Sequence, residues 1–554
     1  MEPEAGEAPQ KAPKANLGDF QKLGWYILFM CVAQEFMTLS YLANITFMVY
    51  AGFSPTVVGC GSSVFSGSDL DRCEQLKAAR NESACEVVLD TQFESVNYEF
   101  ELLCEDSVLV KHSTSIQMVG VMIGSMVFGH MSDSFGRRKV LLVSIAGMFV
   151  FSIVSSFSSS LFTFNITRVI LMFFNGGMSS VQLVYIMEML PKNHRLWIFT
   201  LVTTSPNYIV LAGMAYSAGD WRVLSRYTSF FASLPAFVLV FCAHESPRWL
   251  VQKGRLDEAR EVLVTVDRLN GTLTAGRLVE MDDILDKERT IFEAQRHRRR
   301  YSFMHLFYTW KLTAYITTLS FALFSASITS YALIFNMDKL SGSIYWNSVF
   351  YGVFRYAMNI LTGLADYFGG RRTGRKVIHN VSLVYVLCAL GTVFVSSFFR
   401  KSPLTCKKPK IGEISLNFCG DVATVTLAET QNEWMTRIAT LTAAAMCSQL
   451  FLSAIVTTNE LFPTAVRNLA SSFTSFINRI GTVVAPHFFY MALFWAPLPY
   501  LILLFIGVVD LVAFSVVLPE TKGTHMADHM PRPEERIFAK KRKTTAATGL
   551  LESQ

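Results

Sequence analysis

The chain has 554 residues, of which 51% are hydrophobic, and its mean hydropathy is +0.34. A soluble protein of this length would keep a polar majority outside each core. Here the apolar residues gather into runs as long as the roughly 20 residues that a membrane-spanning helix needs. The net charge of +6 is spread over short loops between these runs, so nucleic-acid binding is not indicated. The composition predicts an all-α protein that crosses a lipid membrane many times.

The apolar runs predict twelve transmembrane helices. In chain order the spans are residues 23–50, 113–131, 139–158, 168–189, 196–217, 224–243, 312–335, 346–368, 376–398, 433–458, 468–491 and 498–518. The predicted organisation is a disordered cytoplasmic tail (1–22), an N-terminal six-helix bundle (23–243), a cytoplasmic linker with amphipathic helices (244–311), a C-terminal six-helix bundle (312–518) and a cytoplasmic tail (519–554). The first 20 residues lack the apolar core of a signal peptide.

The distribution of basic residues predicts the orientation. Arg137, Arg138 and Lys139 follow span 2, and further arginine clusters stand at 298–300 and 371–375. All three groups fall on one side if the spans alternate, and that side is cytoplasmic by the positive-inside rule. We therefore expect a multi-pass membrane protein with both termini in the cytoplasm.

The opposite side carries a large loop at 51–110, with eleven acidic residues against three basic ones. Its four cysteines, in a polar non-cytoplasmic loop, favour two disulfides over free thiols and leave three pairings open. Asn81 begins the glycosylation sequon Asn81-Glu82-Ser83 on the same loop. A second external loop, around 399–432, holds a plausible third disulfide. The predicted disulfide cysteines are Cys60, Cys73, Cys85, Cys104, Cys406 and Cys419.

Charged motifs recur in the two halves of the chain and indicate two parallel six-helix repeats. Asp133-x-x-Gly-Arg-Arg after span 2 has a counterpart beginning at Asp366 after span 8. Glu188-x-x-Pro-x-x-x-Arg195 after span 4 recurs as Glu460-x-x-Pro-x-x-x-Arg467 after span 10. We interpret these charges as a cytoplasmic gate that joins the halves when that side is shut; the alternative is that they only set the orientation. The gate residues are Asp133, Arg137, Arg138, Glu188, Arg195, Glu245, Arg248, Asp366, Arg371, Glu460, Arg467 and Glu520.

Two arginines, Arg355 and Arg479, lie near the middle of predicted spans, where a charge normally faces protein or a water-filled cavity. Arg479 shares a polar stripe with Ser475 and Asn478 on span 11, and Arg355 recurs in steps of four with Tyr351 and Asn359 on span 8. Guanidinium groups that face a central cavity would bind a carboxylate or sulfonate. The candidate substrate-binding residues are Arg479, Arg355, Tyr351, Tyr331, Asn478, Ser475, Asn359, Gln449 and Glu35. In the alternative interpretation, Glu35 or Asp510 neutralises an arginine.

The motif Gly129-x-x-x-Asp133-x-x-Gly136-Arg137-Arg138, in a chain of two six-helix halves, resembles the major facilitator superfamily. Within it, the chain resembles the organic cation/anion/zwitterion transporters of the solute carriers. The residues that carry this resemblance are the cysteine-bearing first loop, Asp220-Trp221-Arg222, Glu245–Leu250, Asn459–Asn468 and Pro519–Gly523. Sugar porters share some of these signatures but have a Gln-Gln pair on helix 7, and residues 312–340 contain no glutamine.

The resemblance implies a carrier of small organic ions that works by alternating access. At the position of Arg479, cation carriers of the family tend to have aspartate, whereas anion carriers and carnitine-type carriers have arginine. At Arg355 the family commonly has an acidic residue followed by Pro-Ala, and this chain departs from that pattern. Both positions favour organic anions, moved by exchange or facilitated diffusion in a polyspecific transporter.

Three other functions remain open. A cation or carnitine-type zwitterion carrier would need an acidic partner in the cavity, and Glu35 is the candidate. A sugar porter is disfavoured, and a non-transporting sensor that kept the fold is disfavoured by the intact repeats. The sequence shows no metal-binding, nucleotide-binding or catalytic constellation, so neither a cofactor nor an enzymatic activity is predicted.

Overall fold

The computed structural model describes residues 23–67, 69–82, 85–191, 198, 201–295, 303–369, 373–399, 422–463 and 466–522. Twelve long helices follow one another in the predicted order, six in each half. In the N half they are α1 (Trp25–Ile45), α2 (Val108–Phe135), α3 (Arg137–Ser155), α4 (Leu161–Met189), α5 (Ser205–Ala218) and α6 (Trp221–Cys242). In the C half they are α7 (Trp310–Phe335), α8 (Ile344–Phe368), α9 (Arg375–Phe399), α10 (Val422–Leu461), α11 (Arg467–Val484) and α12 (Leu498–Val517).

Nine helices in the described part of the chain are long and apolar enough to cross a membrane by length and composition. The helices α5, α8 and α11 are not among them, because α5 has only 14 helical residues and the other two carry polar stripes. These helices lie where the halves meet, since α5 packs against α8 and α2 packs against α11. The weakest membrane signals therefore belong to helices that face the other half.

Burial separates inner from outer helices. In the most apolar window of α7, 83% of the residues are buried, against 22% in that of α12. Exposed apolar side chains such as Phe505 and Val516 give α12 an outer surface that suits lipid. A central position for α7 and a peripheral one for α12 follow from this difference.

Several helix boundaries differ from the prediction. The helix α10 begins at Val422, inside the stretch that was predicted to be an external loop, and α4 begins at Leu161 instead of residue 168. Residue 196, where the fifth span was predicted to begin, lies outside the described residues. The residues around 422–432 are largely polar, so an apolar pattern could not predict that the helix extends this far. The predicted cysteines Cys406 and Cys419 lie outside the described residues.

The first spanning helix is broken at Thr46. Its hydroxyl donates to the carbonyl of Leu42 at 2.7 Å, and the amide of Asn44 donates to the carbonyl of Ser40 at 2.9 Å. Side chains that bond back to the preceding turn bend helices. The chain resumes as a short buried helix, Phe47–Ala51, and then leaves the bundle.

The loop after α1 folds into a small domain, which we call the cap (residues 52–107). Its antiparallel sheet has the strand order β2 (Ser63–Val64), β1 (Thr56–Cys60), β3 (Val87–Asp90), and a helix spans Asp69–Glu82. Two disulfides, Cys60–Cys85 and Cys73–Cys104, confirm the predicted bridges and select one of the three pairings. The strands were not predicted, because they are short and the bridges supply much of the cap's core. Asn81 is exposed on the helix, as a glycosylation site requires.

The cap is anchored to α6 through Glu99. Its carboxylate accepts hydrogen bonds from the indole of Trp221 at 2.7 Å and from the guanidinium of Arg222. Arg222 also donates to the carbonyl of Ser156 at 2.6 Å. Partial burial works to raise the pKa of Glu99, but the bonds from Arg222 and Trp221 outweigh it and hold that pKa below its ordinary value.

The segment between α6 and α7 lies on the opposite side of the bundle, which we call the linker side. It forms the helices Pro247–Gln252, Leu256–Leu269 and Ala275–Gln295, which share a small apolar core. Asn270 accepts a hydrogen bond from the backbone N–H of Tyr26 at 3.0 Å. This bond satisfies one of the free N–H groups at the start of α1 and docks the linker on the N half.

The two halves are joined at the cap side by a buried ion pair. Lys111 on α2 lies 3.6 Å from Asp338 beyond α7, and their side chains are 14% and 4% exposed. Lys111 also donates to the carbonyl of Phe335 at 2.8 Å. From the cap, the side-chain carbonyl of Gln92 accepts the N–H of Ile344 at 3.1 Å. Within the described ranges, hydrogen bonds and ion pairs between the halves lie at this end or at mid-height, so this conformation is closed at the cap side.

We expect Asp338→Asn to destabilise the protein by roughly 3–5 kcal/mol, because it leaves the Lys111 ammonium buried without a counter-charge. The double variant Lys111→Met with Asp338→Leu should recover most of the loss. Thermal unfolding of purified protein measures both. Glu105→Gln, which removes one member of an exposed pair with Lys77, is the control and should change nothing. A single variant as stable as wild type would contradict the assignment.

Candidate functional site

Arg479 lies at mid-height on α11 and reaches across to the other half. Its Nη2 donates to Oγ of Ser179 on α4 at 3.1 Å, and Tyr41 of α1 and Tyr331 of α7 lie beside the same guanidinium. Asn478 has a buried side-chain oxygen without a hydrogen-bond partner. The arginine is thus solvated by neutral groups from both halves.

The rest of the polar stripe on α11 has different roles along its length. Ser471 donates to Asn459 on α10 at 3.0 Å, and Thr482 is 2.9 Å from Ser327 on α7. Ser475, one turn before Arg479, is exposed. The two ends of the stripe therefore fasten α11 within the C half, and its middle faces the N half.

Arg355 on α8 is held by two tyrosines. Its Nη1 lies 3.3 Å from the hydroxyl of Tyr351 and 3.5 Å from that of Tyr208 on α5, and its guanidinium stands 5.7 Å from the centre of the Tyr208 ring. The rings of Tyr208 and Tyr351 meet edge to face at 4.7 Å. The Nε of Arg355 is buried without an acceptor. This guanidinium has a spare donor and a cation–π contact.

A third cluster of predicted residues lies one turn along α8. Asn359 donates to Ser205 on α5 at 3.1 Å and accepts from the amide of Gln449 on α10 at 2.6 Å. The structure therefore brings Arg355, Tyr351, Asn359 and Gln449 together. Tyr331 links this group to the other arginine, because it lies close to both guanidiniums.

The carboxylates proposed as counter-charges lie next to other groups. Glu35 on α1 accepts a hydrogen bond from Asn207 on α5 at 2.9 Å. Asp510 on α12 is fully buried in the C half, 3.8 Å from Nε2 of His379. Among the described residues, no carboxylate forms an ion pair with Arg355 or Arg479. In this conformation, Glu35 and Asp510 therefore neutralise neither arginine.

Sequence reasoning missed a buried arginine, Arg168. It is fully buried on α4, its Nε donates to Gln117 at 3.2 Å, its Nη2 donates to the carbonyl of Asn44 at 3.0 Å, and it stacks over Phe47 at 4.2 Å. The span was predicted to begin at this residue, so its charge was placed at the membrane edge. All its partners lie in the N half, where it holds the end of α1 next to the break at Thr46.

On the linker side, the predicted gate charges of the N half form one cluster. Arg137 pairs with Asp133 and lies 3.3 Å from Glu188, while Glu245 accepts the backbone N–H groups of Arg137 at 2.9 Å and Arg138 at 3.1 Å. The carboxylate thus caps the start of α3 and suits the positive end of the helix dipole.

Gly136 leaves room for the Glu245 carboxylate at the start of α3. Its φ of 110° belongs to the region that glycine tolerates, and a Cβ there would meet Oε2 of Glu245 at 2.5 Å. The glycine of the D-x-x-G-R-R motif is therefore required both by the turn and by the Glu245 carboxylate that caps α3.

The C half repeats the arrangement. Glu520 accepts the N–H groups of Arg375 at 2.8 Å and Lys376 at 3.2 Å, and a Cβ on Gly374 would meet its Oε2. Arg375 pairs with Asp366 at 2.7 Å and with Glu460 at 3.4 Å. The two clusters are equivalent in design.

The second cluster contains further contacts. Glu460 bonds to Arg375 and Thr521, and Nε of Arg467 donates to the carbonyl of Phe462. Sequence reasoning also missed Lys522, which donates to Asp366 at 2.8 Å. Arg375 would have been found by aligning the starts of α3 and α9, since each helix opens with its cluster arginine.

The remaining gate residues are partly described. Arg138 donates to the carbonyls of Val240 and Phe241, which ties α3 to the end of α6. Arg248 lies on the helix Pro247–Gln252, next to the N-half cluster. Arg195 and Arg371 fall outside the described residues. Each described cluster is bonded within its own half.

Two six-helix repeats that meet along α2–α11 and α5–α8, with polar groups between them at mid-height, define a membrane transporter of the major facilitator type. The chain belongs to the sugar (and other) transporter family, whose profile matches residues 70–529. This fold and family are those of transporters and not of an enzyme family.

Similar proteins support the same classification. Solute carrier family 22 member 7 of Rattus norvegicus is 25% identical, with 79% of this chain and 74% of that protein covered. The organic cation transporter protein of Drosophila melanogaster is 26% identical, with 80% and 74% covered. The xylose transporter of E. coli in an inward-open conformation has a TM-score of 0.59 at 15% identity, with 90% and 96% covered. The predicted resemblance and fold are confirmed.

We expect Glu245→Ala and Glu520→Ala to lower stability by about 1–2 kcal/mol each and by similar amounts, because each removes the acceptor of two helix-start N–H groups. Denaturant or thermal unfolding of purified protein measures the effect. Glu258→Ala, which breaks an exposed pair with Arg255, is the matched control. A loss of stability in one variant and none in the other would show that Glu245 and Glu520 do not play equivalent roles.

Proposed function

We propose that this chain carries small organic anions across the plasma membrane by alternating access. The observation that supports this most directly is that Arg355 and Arg479 lie at mid-height between the halves without a carboxylate partner among the described residues. A buried cation that lacks a counter-ion gains most from an anion that enters from outside. The relatives named for family 22 and for organic cations make small organic ions the substrate class, and the two guanidiniums favour anions within it.

The binding energy available fits a carrier. Hydrogen bonds to charged groups contribute roughly 1.5–3 kcal/mol each, and a bidentate pair adds geometric selectivity for a carboxylate or sulfonate. The tyrosines beside Arg355 offer aromatic surface for the organic part of the substrate. Contacts of this kind suit varied substrates that share a negative charge, so we propose a polyspecific carrier working by exchange or facilitated diffusion.

We also propose that the two linker-side clusters form the cytoplasmic gate. In the cap-closed conformation each cluster is bonded within its own half, and each presents arginine and acidic side chains at the same end of the bundle. Rocking of the halves would bring the clusters together as the bonds at the cap side break. The basic loops favour a cytoplasmic position for this side, and a disulfide-bonded cap suits the outside.

A zwitterion carrier is the second candidate, because Glu35 offers a negative group in the N half. Its carboxylate is partly exposed and is bonded to the neutral Asn207. A substrate with a quaternary amine and a carboxylate would find an acid in one half and arginines in the other. This function differs from anion transport in its requirement for Glu35.

We expect Arg479→Ala and Arg355→Ala each to reduce the uptake of a carboxylate tracer about 10- to 100-fold, since each removes a charge-assisted contact. Arg479→Lys should retain part of the activity, because an ammonium keeps the charge and loses the bidentate geometry. Uptake into cells, normalised to surface-biotinylated protein, is the measurement. Arg260→Ala, which removes an exposed arginine from the linker, is the control. Anion uptake that survives both alanine variants would exclude the proposed site.

Glu35→Gln separates the two candidates. In an anion carrier it should leave carboxylate uptake unchanged or raise it, because it removes a negative charge near the path. In a zwitterion carrier it should abolish uptake of a quaternary-amine zwitterion, which loses its counter-charge. Parallel uptake of the two tracers by the same cells decides between them. Uptake of neither tracer by wild type would favour a non-transporting sensor, and saturable uptake of a neutral sugar would favour a sugar porter.

A further inference from the structure

We propose that Ser179 on α4 and Tyr208 on α5 are stand-in acceptors that hold Arg479 and Arg355 across the gap between the halves while the carrier is empty, and that the transported anion replaces them. The inference rests on the proposed anion transport and adds to it. It assigns roles to two N-half residues and predicts how the empty carrier moves.

Ser179 is oriented as an acceptor. Its hydroxyl donates to the carbonyl of Gly176 on its own helix at 2.8 Å, so the hydrogen is already used and a lone pair is free. Nη2 of Arg479 donates to this oxygen at 3.1 Å from the opposite half. The neighbouring Ser180 makes the same bond to its own helix, to the carbonyl of Gly177 at 2.9 Å. Ser179 differs from Ser180 in the arginine that it meets.

Tyr208 holds Arg355 across the gap in the same way, with both its hydroxyl and its ring. Its hydroxyl lies 3.5 Å from Nη1, and its ring stands 5.7 Å from the guanidinium carbon. Tyr351, which also contacts Nη1, belongs to the same helix as Arg355 and cannot tie the halves together. The contact with Tyr208 is therefore the one that crosses between the halves.

A carboxylate competes directly with these contacts. Ionised acceptors form shorter and roughly twice as strong hydrogen bonds to a guanidinium as neutral ones. The Nε of Arg355 is buried without an acceptor, so a bidentate anion would use this nitrogen and draw the guanidinium away from Tyr208. The same exchange at Arg479 would free Ser179. Anion binding therefore releases two bonds between the halves at the point where they must separate.

In the empty carrier, no anion replaces these contacts. To change conformation it must break both ties with nothing to replace them, whereas the loaded carrier has already replaced them. The loaded carrier should therefore reorient faster than the empty one, and exchange of anions should be faster than net transport. A purely structural role for Ser179 would alter both rates alike.

The test compares exchange with net uptake of one carboxylate tracer by the purified full chain in liposomes. Ser179→Ala and Tyr208→Phe should each raise net uptake relative to exchange by about three- to tenfold, as expected for losing one hydrogen bond of ordinary strength. Ser179→Thr keeps the hydroxyl and should restore the wild-type ratio. Ser180→Ala is the matched control and should leave the ratio unchanged.

The outcomes separate this inference from the function on which it rests. If wild type and variants carry the anion with the same ratio of net uptake to exchange, the stand-in role is excluded and anion transport stands. If wild type carries no carboxylate while Arg479→Ala is equally inactive, the anion proposal fails and this inference falls with it. A Ser179→Thr variant that behaves like Ser179→Ala would also overturn the stand-in role.

Discussion

A guanidinium inside a membrane bundle must be solvated by protein, because lipid cannot do it. Arg168, Arg355 and Arg479 meet this requirement with amides, hydroxyls, carbonyls and aromatic rings, and none of the three pairs with a carboxylate among the described residues. The partners of Arg168 all lie in the N half, so it is a fixed part of that half. The partners of the other two come from both halves. The same kinds of contact thus lie within one half around Arg168 and cross between the halves around Arg355 and Arg479.

On the linker side, both repeats use the same arrangement at the start of their third helix. A glutamate from the segment after the sixth helix of each half caps the third helix, and a glycine before that helix leaves room for it. The glutamate and the arginine cluster of each repeat are bonded within one half. The described bonds between the halves lie instead on the cap side and at mid-height.

The cap side combines the strongest of these bonds with the disulfide-bonded domain. Lys111 and Asp338 are both shielded from water, and such a pair is costly to separate unless the partners are rehydrated. Gln92 extends the contact from the cap to the start of α8. The cap therefore lies on both halves, whereas the linker helices are docked on the N half through Asn270.

The sequence by itself determined the class of fold. Runs of apolar residues, duplicated motifs and cysteine pairs depend on local chemistry, so twelve helices, two repeats and the cap disulfides were predictable. Arg355 and Arg479 were recognisable because each interrupts an apolar span with a polar stripe. Tertiary structure alone decided which groups surround them. Ser179 and Tyr208 come from other helices, and no periodicity along one helix encodes the contact of two helices far apart in the chain. The same reason explains Arg168, Lys522 and the Lys111–Asp338 pair, whose partners are set by packing in three dimensions.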